Sequence, residues 1–224
     1  MKKILIISVF MMLFAGILVC NESVAFTLKV KGDVEVTRNE EATKLESGNQ
    51  LLNKDELESK DESFAAVKFI DGSSVIKLFP NSTLKINTEK KDGKLNKNSY
   101  LAVGNMWSKV VKKTGVFEVE TPTTVVSVKG TKFILAVSEE GFTDLYTLSG
   151  EVQIKNKKDG KTANVSSGNK AHSTGEGKIV ISEILEGDLS DDLKDEADKD
   201  STGELEIKLE NSDGEKRIIK LEFE

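Results

Sequence analysis

The only histidine of the chain is the first residue to consider for catalysis. His172 lies in a stretch of turn composition just before Gly175, and Ser166, Ser167 and Ser173 are near it in sequence. A nucleophilic triad needs a serine and a carboxylate that converge on the imidazole. No Gly-x-Ser-x-Gly elbow surrounds any serine of the chain. We therefore interpret His172 as an exposed loop histidine and expect a protein without enzymatic activity.

Oxygen-bearing side chains at residues 198–203 have part of the spacing of a calcium loop, with ligand types at positions one, three and five and glycine at six. Position twelve is Leu209, where such a loop needs a bidentate carboxylate. Cys20 is the only cysteine, so Cys20 and His172 cannot supply a usual zinc ligand set. We therefore expect no metal and no cofactor, and we interpret this segment as a solvated acidic linker.

Lysines near the only tryptophan are the candidate interaction surface. This surface consists of Trp107, Lys109, Lys112 and Lys113. Further lysines stand in residues 88–99, which we predict to be a polar loop: Lys90, Lys91, Lys94 and Lys97. An edge strand that lysines protect against aggregation explains the same pattern, and a large aromatic such as Trp107 is typical of a small β core. The net charge of −6 argues against nucleic acid as the partner.

Short apolar runs between polar breaks predict an all-β protein. Hydrophobic residues make up 38% of the chain and charged residues 31%, with 17 glycines and two prolines, which is typical of a globular composition. Alternating runs flank Gly32-Asp33 and Asp71-Gly72, and both patterns predict β-hairpins. Many short strands at close spacing indicate a compact β-sandwich or a β-solenoid-like fold.

The amino terminus has the pattern of a secretory signal peptide. Lys2 and Lys3 precede an uncharged apolar run at residues 4–19, and Ser23-Val24-Ala25 supplies a small-x-small cleavage pattern. We predict cleavage after Ala25, with a periplasmic or secreted mature chain. The alternative is a lipoprotein signal at Cys20, which would tether the protein to a membrane; bulky Val19 before that cysteine disfavours it.

The pattern divides the chain into four parts. Residues 1–25 are the predicted signal peptide, and residues 26–185 are the predicted all-β domain. Residues 186–204 hold nine acidic residues and two lysines and form the predicted linker. Residues 205–224 alternate on both sides of a turn and predict a C-terminal β-hairpin, which needs a docking surface because two strands alone are marginally stable.

Residues 121–137 organise the central part of the chain. Val126 and Val128 alternate before Gly130, and Phe133, Leu135 and Val137 continue the alternation after it. A glycine between two such runs indicates a bulge or a bend where one backbone approaches another. This stretch resembles the heart of the FecR domain, with the motif residues Thr121, Pro122, Val128, Lys129, Gly130, Thr131 and Phe133.

The resemblance extends over residues 28–171 and includes Asp71-Gly72 and Gly150. It implies a compact all-β extracytoplasmic domain with a structural motif. The FecR regulators that give the family its name pass an iron-uptake signal across a membrane and need a cytoplasmic segment, whereas only three residues precede the apolar run here. Our first hypothesis is therefore a secreted or periplasmic binding module that recognises an envelope protein partner, with strand addition at an exposed edge as the mode of binding. The alternative is a structural envelope or cell-surface protein that associates with cell-wall glycan.

Overall fold

The computed structural model describes residues 22–111 and 115–198, and also the backbone of residues 203–210 and 216–223. The apolar run of the predicted signal peptide, Cys20, Lys112 and Lys113 lie outside the described residues. So do residues 199–202 of the suggested calcium loop. No helix among the described residues is long and apolar enough to cross a membrane.

Twenty strands and one short helix make up the described part of the chain. In chain order these elements are β1 Ser23–Lys31, β2 Val34–Arg38, β3 Glu41–Lys44, β4 Gln50–Leu52, β5 Glu56–Ser59, β6 Phe64–Phe69, β7 Ser74–Leu78, β8 Ser82–Lys85, β9 Thr88–Lys91, β10 Lys94–Val110, β11 Phe117–Glu120, β12 Thr124–Val128, β13 Lys132–Val137, β14 Thr143–Ser149, β15 Glu151–Asn156, β16 Thr162–Ser166, β17 Asn169–Ser173, β18 Ile179–Glu183, α1 Asp191–Asp198, β19 Gly203–Glu210 and β20 Lys216–Phe223. The prediction of an all-β fold of many short strands is confirmed.

The first eighteen strands form one curled sheet whose two halves face each other across the core. Sheet A has the order β4-β1-β6-β7-β10-β13-β14-β17-β18. Sheet B has the order β3-β2-β5-β8-β10-β11-β12-β15-β16, and β9 pairs with the start of β10. The chain crosses between the halves after every one or two strands. Almost all pairs are antiparallel, so each strand presents alternate residues to the shared core.

The long strand β10 joins the two halves. It bends at Gly104, which has a φ of +93°, and a Cβ there would lie 2.5 Å from Cα of Ser82. The Oγ atom of Ser82 accepts a hydrogen bond from the Asn105 amide at 2.8 Å. Only glycine fits this bend, because the backbone conformation and the neighbouring strand both exclude a side chain.

The core between the halves contains a line of aromatic rings. Phe69, Phe117 and Phe133 are at most 4% exposed, and their rings make edge-to-face contacts at centroid distances of 6.3 and 6.4 Å. Phe69 and Phe133 come from sheet A and Phe117 from sheet B. Each buried aromatic of this kind contributes about 2 kcal/mol through burial, so this line ties one half of the sheet to the other.

The predicted hairpin at Gly32-Asp33 is wrong. Strand β1 pairs with β4 and β6 in sheet A, whereas β2 pairs with β3 and β5 in sheet B. Gly32 and Asp33 therefore connect the two halves. Oγ of Ser63 accepts a hydrogen bond from the Asp33 amide at 2.8 Å, and the Asp33 carbonyl accepts one from Lys60 at 3.0 Å. These contacts come from residues about thirty positions away and override the local turn preference.

The predicted polar loop at residues 88–99 is also wrong, because β9 and the start of β10 form a hairpin there. Lys97, which the sequence placed on the surface, is 1% exposed and pairs with the carboxylate of Asp71. The C-terminal strands β19 and β20 pair antiparallel in a separate two-stranded sheet.

Candidate interaction site

The outer face of sheet A, which points away from the shared core, carries a continuous row of paired residues. In strand order this row is Ala66, Lys77, Trp107, Ile134, Tyr146, Lys170 and Ser182. A second row on the same face contains Lys68, Val75, Lys109 and Lys132. The face therefore combines an apolar centre with five lysines.

Trp107 lies at the centre of this face but is fully buried, which agrees with the expectation of a core tryptophan and excludes Trp107 from an exposed interaction surface. It belongs to a second apolar cluster, separate from the core, with Leu28, Ala66, Val75, Phe79, Ile134 and Leu189. Nζ of Lys77 lies 4.8 Å from the centroid of the indole ring, a cation–π contact. Among the described atoms, Nε1 of Trp107 has no hydrogen-bond acceptor. A buried donor in this state is a site where an added acceptor would stabilise the structure.

Lys109, from the same candidate surface, does lie on this face, two positions along β10 from Trp107. The interpretation of β10 as a protected edge strand is wrong, because β7 and β13 pair with it on either side. The exposed residues Lys90, Lys91 and Lys94 lie instead on the hairpin of β9 and β10 in sheet B. The lysines that the sequence grouped near Trp107 therefore lie in two separate places, the outer face of sheet A and the β9–β10 hairpin of sheet B.

Residues 185–198, which we name the acidic strap, follow β18, and Asp188, Leu189 and Leu193 of this segment contact the outer face of sheet A. Leu189 is 7% exposed and packs into the Trp107 cluster, and Leu193 packs against it partly buried. The prediction of a solvated linker at residues 186–204 is wrong at Leu189 and Leu193, whereas Glu186, Ser190 and Asp191 are exposed as predicted. The Oγ atom of Ser190 accepts a hydrogen bond from the Leu193 amide at 3.4 Å at the start of α1, so Ser190 is the helix cap.

An ion pair fixes the start of the strap. The carboxylate of Asp188 pairs with Nζ of Lys170 and accepts a hydrogen bond from the Leu185 amide at 2.6 Å. The hydrogen bond from Lys170 is the main cause that holds the pKa of Asp188 below its ordinary value. Burial, together with the charges of Asp144 and Asp188, raises the pKa of Tyr146. The ion pair with Lys170, which stands opposite Tyr146, holds the strap's carboxylate at the central row of the face.

Strand β18 forms an open edge of sheet A, since among the described strands it pairs with β17 only. The Thr174 amide donates to Lys178 and the Ile184 amide donates to Gly168. Ladder hydrogen bonds alternate along an antiparallel strand. The N–H and C=O groups of Ile179, Ile181 and Glu183 therefore point away from the sheet. Val180 and Ile181 are 45% and 43% exposed, so this edge is also apolar.

His172 lies in β17, not in a loop, which corrects its assignment. Its Nδ1 atom is 2.8 Å from Oδ1 of Asp144, and its ring makes an edge contact with Phe142. The neighbouring Ser173 points to the opposite face, where its hydroxyl accepts a hydrogen bond from Asn156. The imidazole and this serine therefore do not converge. Among residues 22–111 and 115–198, no group of three or more acidic, histidine or cysteine residues could hold a metal ion.

The family model described as FecR protein matches residues 55–153. These residues form a FecR domain. The match is shorter than the resemblance at residues 28–171 and includes every motif residue named from the sequence. It begins just before β5 and ends within β15, so the FecR domain contains the centre of both halves of the sheet. The β18 edge and the acidic strap lie beyond it.

Two crystal structures of one protein resemble this chain at 17% sequence identity. They show a "putative anti-sigma factor" from Parabacteroides distasonis ATCC 8503, at 2.50 and 1.65 Å resolution. Each alignment has a TM-score of 0.49 and covers 57% of this chain and 59% of the other. The chain thus spans less than two thirds of that protein's length. No curated protein sequence matches this chain.

The FecR motif builds the crossings between the two halves of the sheet. Thr121 is fully buried, and its hydroxyl lies 2.9 Å from that of Thr124 and 2.8 Å from that of Thr143. Pro122 follows it in the exposed turn before β12. The backbone amide of Thr124 also donates to Oγ1 of Thr121 at 3.0 Å. This hydroxyl network fixes one end of the β12 strand.

The crossing from β12 to β13 uses the remaining motif residues. Val128 and Phe133 are buried on either side of it, and Lys129 is exposed within it. Gly130 has a φ of +78°, but a Cβ there would have 3.9 Å of clearance from the nearest atom outside the turn. The predicted bend is confirmed, and the predicted close approach of two backbones involves the carbonyl oxygen of Gly130, not the space around its Cα atom. The close approach occurs at Gly150, whose Cβ would lie 2.9 Å from the Gly130 carbonyl oxygen.

Asp71 and Gly72 form the tight turn between β6 and β7. Gly72 has a φ of +65°, and Oδ1 of Asp71 accepts hydrogen bonds from the amide and the hydroxyl of Ser73 at 3.1 and 2.8 Å. The second carboxylate oxygen pairs with Lys97 of β10. This motif residue therefore shapes a local turn and joins it to sheet B.

Sequence reasoning missed the lysine rows and the anchoring role of Leu189. Lys77 stands between apolar residues in the run Val75-Ile76-Lys77-Leu78, and this pattern indicates a strand face that carries both apolar and basic side chains. The sequence does not give the register that places Lys77, Trp107 and Ile134 side by side. Pairing between strands that are far apart in sequence was the missing information.

Proposed function

We propose that this protein is a non-enzymatic, extracytoplasmic binding module with a FecR domain, which recognises a protein partner in envelope signalling or assembly. The open edge of β18 is the observation that supports this function best. Proteins commonly bind extended segments by adding a strand to an exposed sheet edge. The main-chain groups of the edge give affinity, and pockets for alternate side chains give specificity.

The β18 edge differs from the other sheet edges in its side chains. Strands β3 and β16 end sheet B with polar sequences, and β4 has only three residues. At β18, Val180 lies on the outer face beside His172, and Ile181 lies on the inner face beside Ala171. An added strand would therefore cover apolar surface on both of its sides. We expect the partner segment to be extended and to carry β-branched or aromatic residues.

A pull-down tests whether such a partner exists. The purified protein is crosslinked to the envelope fraction of its own cell, and captured proteins are identified by mass spectrometry. The proposal expects a protein partner in stoichiometric amount that is recovered at both low and high salt, because strand addition relies on main-chain hydrogen bonds and apolar contacts. Failure to recover any protein would contradict the proposal.

A second function is favoured by the exposed lysines of the β9–β10 hairpin. Lys91 and Lys94 are paired opposite each other, and both are exposed. Such a surface suits an anionic cell-wall glycan, and a structural envelope protein would use it for attachment. Sedimentation with purified cell wall separates the two functions. Co-sedimentation that is lost in rising salt favours the glycan function, since salt screens exposed charges.

A further inference from the structure

We propose that the outer face of sheet A around Trp107 is a docking surface for an acidic amphipathic segment of a partner protein. In the conformation described here the acidic strap occupies this surface as an internal ligand and competes with the partner. The proposal concerns a different surface from the β18 edge and does not depend on strand addition there.

The apolar part of the surface accepts one leucine. Leu189 is the strap residue buried in the Trp107 cluster, and the other buried members of that cluster lie on five strands of sheet A or, for Phe79, directly after one of them. Leu193, one turn further on, is partly buried against the same cluster. Leu185, by contrast, is 63% exposed. An amphipathic helix in a groove is recognised through such spaced apolar anchors.

The charges of the face and the strap are complementary. The face carries the five lysines Lys68, Lys77, Lys109, Lys132 and Lys170. The strap contains seven acidic residues and one lysine. Of these acids, Asp188 makes a defined ion pair with Lys170. A basic face with an apolar centre is suited to an acidic segment with a leucine anchor and disfavours a basic one.

Three features of the strap suit a segment that can detach from the face. Helix α1 has eight residues, which is too short to be stable without the packing it makes on the sheet. Its first residue, Asp191, has a fully exposed side chain. Within the described part of the chain, Nε1 of Trp107, a residue of the same apolar cluster as Leu189, lacks a hydrogen-bond acceptor. A partner segment that brings a carboxylate to this N–H would satisfy a donor that the described strap atoms leave unpaired.

A labelled peptide tests the surface in trans. A fluorescein-labelled peptide of residues 185–198 is titrated into the full protein, and binding is followed by fluorescence anisotropy. The same titration is made with the Leu189→Ser protein, in which the strap should detach from the face. Leu185→Ser is the matched control, because it removes the exposed leucine of the same strap. We expect Leu189→Ser to bind the peptide at least ten times more tightly than the wild type or Leu185→Ser. The affinity should fall at least fivefold between 50 and 300 mM salt.

The single tryptophan supplies a second readout. Release of the strap in Leu189→Ser exposes Trp107, so its emission should shift to longer wavelength and return when the peptide binds. A peptide that carries serine in place of Leu189 should cause neither effect. Equal peptide affinity for all three proteins would overturn the proposal. Loss of cooperative thermal unfolding in Leu189→Ser would overturn it as well, because a strap required for folding is not a competing ligand.

Discussion

Lys97 and Asp71 form an ion pair inside the fold, in which the lysine side chain is 1% exposed and the aspartate 19% exposed. The lysine also donates to the carbonyl of Leu95 at 2.9 Å and lies 5.7 Å from the centroid of the Phe69 ring. The pair joins the β6–β7 turn of sheet A to β10 at its sheet B end. A charge in this position needs its partner, because solvent cannot replace the lost contact.

Removal of the carboxylate should therefore destabilise the protein strongly. We expect Asp71→Asn to lower the free energy of unfolding by about 3 kcal/mol, since it leaves a buried lysine without its counter-charge. The asparagine oxygen can still accept from Ser73, so the turn itself is preserved. Urea denaturation measures the change. The double variant Asp71→Asn with Lys97→Met should recover part of the loss, and a double variant as unstable as the single one would contradict this account.

Gly150 and Gly130 provide a matched comparison of two motif glycines. Both have a positive φ, of +83° and +78°. We expect Gly130→Ala to cost about 1 kcal/mol, because only the backbone conformation is strained. Gly150→Ala should cost about 3 kcal/mol, since its Cβ also meets the Gly130 carbonyl oxygen and Thr131 at 2.9 Å. Thermal unfolding measures the loss of stability in both variants. Equal losses would contradict the expected clash between the added Cβ atom at residue 150 and the Gly130 carbonyl oxygen.

Turn chemistry explains which hairpins could be predicted from the sequence. Asp71-Gly72 was correctly predicted because its own side chain and φ build the turn. Gly32-Asp33 has similar residue types but crosses between the halves, and the deciding hydrogen bond comes from Ser63. The all-β class could be predicted from the alternation of apolar and polar residues. The pairing partner and the register of each strand depend on contacts between strands that are distant in sequence. The burial of Leu189 was hidden for the same reason, since its composition matches a solvated linker.

The start of β1 makes a prediction about amino-terminal processing. Val24 and Ala25 are 6% and 0% exposed, and Ala25 pairs with both Leu51 and Phe69. A chain that begins at Phe26, as after cleavage at Ala25, lacks these contacts. We expect it to be less stable than a chain that begins at Glu22 by about 3 kcal/mol, from lost apolar burial. Urea denaturation of the two forms measures this difference, and equal stability would contradict the role of residues 23–25 in the strand.

Acid should release the strap before it unfolds the sheet. Lys170 pairs with Asp188, and the charges of Asp188 and Asp144 both act on Tyr146. Because the folded pKa of Asp188 lies below its unfolded value, its contribution is complete above the unfolded pKa and is lost as the pH falls through the folded pKa. We expect Trp107 emission to shift to longer wavelength in this acidic range, ahead of the loss of far-UV circular dichroism.

Asp188→Asn is the control for this pH effect. The variant should show the shifted emission already at neutral pH and lose most of the early acid transition. An early transition of unchanged size in Asp188→Asn would assign it to another group and would contradict the role of the Asp188–Lys170 pair.

The most direct test of the proposed binding function is a proline in the β18 edge. The N–H of Ile181 points away from the sheet, so Ile181→Pro should leave the β17 ladder intact while it removes a donor needed by an added strand. Ile181→Thr keeps the donor and is the matched control. The account predicts that crosslinked partner recovery falls at least tenfold in Ile181→Pro and stays near wild type in Ile181→Thr, at unchanged melting temperature. Equal recovery by all three folded proteins would contradict strand addition at β18.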